Sequence, residues 1–110
     1  MPDTLIVFTT LPENAGAERC AESIVDERLA ACVHILPAGR SVYRWNRQVI
    51  KEVEITLMIK TTSRCYPLLE KKLIELHPHE LPEIVAIPIT KGLPAYLQWL
   101  TAETDSTQHD

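Results

Sequence analysis

Two imidazoles and two carboxylates fall within the seven residues His77-Pro78-His79-Glu80-Leu81-Pro82-Glu83. Imidazole and carboxylate together suit Cu(II), Zn(II) or Ni(II), and a proline between the histidines restricts the backbone that a ligand pair would have to order. His77, His79 and Glu83 are therefore candidate ligands for a divalent cation, with Cu(II) first and other divalent cations open; Glu80 is a further carboxylate in the same run. The run also reads as a polar loop in which His77 is a helix C-terminal histidine, held by the negative end of the helix dipole.

A second constellation lies earlier in the chain. Glu52, Glu54 and Lys60 share the polar side of a strand, and Tyr43 and Trp45, two residues apart, face one side of its neighbour. In an oligomer this row could line a cleft between subunits with His77, binding a small anionic ligand or metal complex with Lys60 as the cation. The alternatives are a solvated sheet face for the charges and interface packing for the aromatics. No catalytic set emerges, because neither Ser41 nor Ser63 has a histidine placed to serve it. Gly16, Gly39 and Gly92 are too scattered to form a phosphate-binding loop. The expectation is a binding protein and not an enzyme. An enzyme using Lys60, Glu52 or Glu54 as acid or base is the least favoured reading.

The elements that must position these residues follow from periodicity. Thr4 to Thr10 reads as a buried strand ended by Pro12 and Gly16. Ala17, Cys20, Ala21, Ile24, Val25 and Leu29 give the apolar stripe of a helix. Ala31 to Leu36 and Ser41 to Trp45 read as strand on either side of a bend at Pro37-Ala38-Gly39, with Asn46-Arg47 as the following turn. Val49, Val53, Ile55, Leu57 and Ile59 mark one face of a strand that runs to Thr61. Tyr66, Leu69, Leu73 and Leu76 mark a second helix between Ser63 and His77, with Pro67 in its first turn. Glu83 to Ile89 is a last main strand, placed at an edge or bulge by Pro88. Leu93, Tyr96, Leu97 and Leu100 make a short closing helix, and residues 104–110 read as a polar tail.

This order predicts an α+β fold of the ferredoxin-like βαββαβ kind, an antiparallel sheet with both main helices on one face, a long hairpin and a short C-terminal helix. The bare sheet face and the projecting hairpin point to a symmetric oligomer. With 110 residues, 45% hydrophobic, the chain suffices for one domain, taken as residues 1–103. A net charge of −4 with scattered Lys and Arg argues against nucleic acid. The lack of an export signal or a long apolar run predicts a cytoplasmic protein with no membrane partner. Cys20, Cys32 and Cys65 are odd in number and unpaired in spacing, so reduced thiols are expected, with Cys20 and Cys32 as small core residues.

Leu29-Ala30-Ala31-Cys32-Val33, Ser41-Val42-Tyr43-Arg44-Trp45, Ile59-Lys60-Thr61, His77-Pro78 with Pro82-Glu83, and Tyr96-Leu97-Gln98-Trp99-Leu100 together resemble the CutA divalent-cation tolerance family, in order and over roughly residues 4–102. The resemblance implies a ferredoxin-like fold, a homotrimer held by sheet edges, copper binding, and kinship with the PII signalling proteins. It carries over to His77, whereas Thr9 and Leu76 stand where members with a described copper site have cysteine and histidine. His79 replaces a common tyrosine, His34 a common asparagine, and Asn46-Arg47 lacks the usual hairpin glycine. Three roles remain open: a metal-binding trimer, a PII-like signalling or adaptor trimer with an unidentified protein partner, and, last, an enzyme.

Overall fold

The computed structural model describes residues 3–105. The elements are β1 (Thr4–Pro12), α1 (Ala17–Asp26), β2 (Cys32–Ile35), β3 (Gly39–Trp45), β4 (Gln48–Thr62), α2 (Tyr66–Leu76), β5 (Ile84–Pro88) and α3 (Pro94–Ala102). The sheet order is β2-β4-β1-β5, with β3 continuing beside β4 where β2 stops, and all pairings are antiparallel. With β2 and β3 taken as one strand interrupted around Pro37, this is the split βαβ arrangement.

Side-chain parity along β4 decides where the core sits. Leu57 and Ile59 are fully buried and cluster with Val7 and Leu11 of β1, Cys20 and Ile24 of α1, and Leu69 and Leu73 of α2. Each such aliphatic side chain contributes about 1.5–3 kcal/mol by leaving water. Val53 and Val49 continue the same parity yet are 47% and 63% exposed, because the β3–β4 hairpin has by then run past both helices.

The hairpin turns in two residues. Trp45 pairs with Gln48, and Asn46 and Arg47 have φ of 50° and 65°. Positive φ at both central positions defines a type I′ turn, whose twist matches that of the strands. Asn tolerates this conformation; Arg47 adopts it without the relief that glycine would give.

Helix α1 ends three residues before the end of the apolar stripe read in the sequence. Arg28 takes φ 61°, its amide reaches the Val25 carbonyl at 3.0 Å, and the Leu29 amide reaches Ile24 at 2.9 Å. These two bonds form a Schellman motif with arginine where glycine is usual, and Leu29 still enters the core beside Ile24.

Two expectations need correction. The second sheet face is not wholly bare: α3 packs on it, with Tyr96 above Lys60 at 5.3 Å from ring centroid to Nζ. Of the tail expected over residues 104–110, Thr104 is buried, its hydroxyl donating to Leu100, and the Asp105 amide bonds to the Arg28 carbonyl at 3.0 Å. Residues 106–110 lie outside the described residues. Among the described residues no helix is long and apolar enough to cross a membrane.

Candidate functional site

Helix α2 ends at Leu76, and His77 turns the chain out of it in extended conformation. The His77 side chain is buried. Its Nε2 donates to the Thr10 carbonyl at 2.6 Å, and its Nδ1 accepts the His79 amide at 3.0 Å. A carbonyl only accepts and an amide N–H only donates, so the ring proton is fixed on Nε2 and both nitrogens are occupied. His77 therefore pins the loop to β1, and coordinating a metal would break one of these bonds. The His79 ring lies 4.9 Å from it, centroid to centroid, and its nitrogens have no hydrogen-bond partner among the described residues.

The pinned loop forms one wall of a groove of about 820 Å³. His79, Glu80 and Glu83 line that wall, and Tyr43, Trp45, Glu52 and Glu54 line the hairpin opposite. The hairpin residues meet because odd positions of β3 and even positions of β4 share a face, as the Ser41–Glu52 and Gly39–Glu54 pairings require. The Tyr43 hydroxyl donates to the Glu52 carboxylate, and this bond, with burial and the nearby Glu52 and Glu54 charges, pushes the phenol up to about 12. Among the described residues no lysine or arginine lines the groove. Four carboxylates facing one imidazole make it a cation-attracting cleft.

Tyr43, Trp45, Glu52, His79 and Glu83 are thus brought together within one chain, as the spacing allowed. Lys60 is not. It shares the face of Glu52, but eight positions further along β4, roughly 26 Å away at strand spacing, beside His34 and Tyr96. Thr10 was not singled out from the sequence, though it both lines the groove and holds His77. Only the β1–β4 register, which sets it against Thr56, places it near Glu54. Cys32, expected in the core, instead faces away from α1 and α2, paired with Lys60. Cys20 and Cys65 are buried, and burial raises the Cys20 thiol pKa. Among the described residues no three His, Cys, Asp or Glu side chains converge closely enough to hold one metal ion.

Fold and groove together define a small α+β protein with, among the described residues, an antiparallel sheet, three helices and an acidic cleft under its hairpin. The sequence model of the family described as "CutA1 divalent ion tolerance protein" matches residues 5–103. The divalent-cation tolerance protein CutA of Thermus thermophilus is 43% identical over 99 residues, covering 90% of this chain and 96% of that one. Protein CutA of Mus musculus is 36% identical over 93% of this chain, which spans 58% of the mouse protein. The solved structure of the "PII-like protein CutA" from Nostoc sp. PCC 7120 superposes with a TM-score of 0.86 at 37% identity, covering 92% of this chain and 97% of that one. The chain belongs to the CutA divalent-cation tolerance family.

Proposed function

We propose that this chain binds a divalent cation, Cu(II) above the others, in the groove between the hairpin and the His77 loop, and does so as a subunit of a homotrimer serving cation tolerance. The observation that carries the reading is the meeting of His79, Glu80 and Glu83 with Glu52 and Glu54 in one cleft free of cationic side chains. Imidazole with carboxylate is a donor set of the right kind for this ion. His79 and Glu83 act as ligands, while His77 holds the loop. Since the described residues of one chain do not bring three such donors to a point, loop closure or a neighbouring subunit completes the coordination.

The trimer is supported by surface that a lone chain leaves in water. Val42 and Val49 on the outer face of the hairpin are 64% and 63% exposed, and Val85 and Ile87 of the edge strand β5 are also exposed. Apolar strips beside open strand edges are what a closed ring of copies covers. Three unpaired cysteines fit a reducing, cytoplasmic setting. Copper titration against a competing chelator, with the solution mass measured on the same sample, tests both parts. Binding lost in the His79→Ala, Glu83→Gln variant supports the site; a mass of 12.5 kDa would remove the trimer.

One observation favours a second reading. A groove of about 820 Å³ lined in part by Tyr43 and Trp45 is of the size that holds a small molecule, and the Nostoc relative is called PII-like. A metabolite that raises the melting temperature of the wild type but not of Trp45→Ala would establish a signalling cleft.

A further inference from the structure

At the other end of the sheet face that carries the groove, three functional side chains stand together without a role in that site. Cys32 and His34 are two residues apart on β2 and so point the same way, and Lys60 pairs with Cys32 across the strands. The Cys32 Sγ lies 3.6 Å from His34 Nε2, and the Lys60 Nζ lies 3.4 Å from the same nitrogen. An ammonium only donates, so Nε2 carries the lone pair and the ring proton sits on Nδ1. Lys60 also donates to the Tyr96 hydroxyl at 3.3 Å, so it has a second anchor when it leaves the histidine.

We propose that Cys32 and His34 form a two-ligand site for a thiophilic metal ion, of the Zn(II) or Cd(II) kind, and that Lys60 is the built-in competitor for His34. Thiolate and imidazole bind Zn(II) at about 2.3 and 2.0 Å, which at a tetrahedral angle sets the two donor atoms about 3.5 Å apart. The observed 3.6 Å matches without any change of strand geometry. Binding exchanges the thiol proton for the metal: the S–H bond breaks, a sulfur–metal bond forms, the proton goes to solvent, and water fills the remaining positions. Lys60 gives up its contact with Nε2 and keeps Tyr96. The donor set is softer than the oxygen-rich groove, and the two sites are separated by about half the length of β4.

Cd(II) is the probe, because a cadmium–thiolate bond adds a charge-transfer absorption in the ultraviolet that carboxylates and imidazoles do not give. The wild type is expected to show this band with release of about one proton per ion. Cys32→Ser abolishes it, His34→Asn weakens binding by about tenfold or more, and Lys60→Met tightens it about tenfold by removing a cation next to the metal. His79→Ala leaves the band unchanged. No band in the wild type, a band that survives Cys32→Ser, or weaker binding in Lys60→Met overturns the proposal. Circular dichroism of each variant confirms that it is folded.

Discussion

The His79 amide donates to Nδ1 of His77 at 3.0 Å, so the first histidine of the pair fixes the second. With its Nε2 bonded to Thr10, a residue 67 positions away, His77 ties the α2 exit to the centre of the sheet. Replacing it by alanine strips a half-buried carbonyl and a loop amide of their partners. His77→Ala is expected to lower the stability by about 2–4 kcal/mol, read from urea unfolding.

Tyr43 gives a spectroscopic report on the groove. Its phenol is held up at about 12 chiefly by the hydrogen bond to Glu52. A phenol with a raised folded pKa stabilises the fold fully below its unfolded value near 10, and that contribution is lost as pH rises from about 10 to about 12. In Glu52→Gln, ultraviolet titration should show one tyrosine moving down toward 10. Tyr66, held at about 12 by burial and then by its hydrogen bond to Glu70, serves as the internal reference that does not move.

The hairpin tip carries strain that one substitution removes. Arg47 sits at φ 65°, in the left-handed region that costs a side-chain-bearing residue about 1 kcal/mol. Arg47→Gly should raise the denaturation midpoint by the equivalent of about 1 kcal/mol. An unchanged or lowered midpoint would show that the Arg47 side chain gives back as much as its backbone loses.

Arg28 combines the same backbone strain with a tether. Its φ is 61°, and Nη2 donates to the Ala102 carbonyl at 2.6 Å, holding the end of α3 against the end of α1. Arg28→Ala removes the tether and keeps the strain, whereas Arg28→Gly removes both. The glycine variant should therefore be the more stable of the two by about 1 kcal/mol, and hydrogen exchange in α3 should rise in both.

Much of the fold was legible because β4 alternates so cleanly. Once Ile55, Leu57 and Ile59 are assigned to the core, the helix stripes of Cys20, Ile24, Leu69 and Leu73 have one sheet face to meet. The placement of α3 was not legible, since a short helix with apolar residues around much of its surface does not declare which sheet face it covers. The groove was half legible. Parity put Tyr43, Trp45 and Glu52 on one side, and composition marked the His77 loop. That the loop closes against the hairpin depends on the His77–Thr10 bond, which no local pattern encodes. Cys32 was misread for a related reason: its apolar neighbours describe a buried strand, but the inward-facing positions of β2 are set by its register with Lys60 and Ile59.

Copper binding in the groove is tested most directly by a Cu(II) titration against a competing chelator in the Cys32→Ser background, which silences the thiol. About one ion per chain is expected, retained in the parent and weakened by about a hundredfold or more in His79→Ala, Glu83→Gln. A double variant that binds copper as tightly as its parent would contradict it and leave the groove to another ligand.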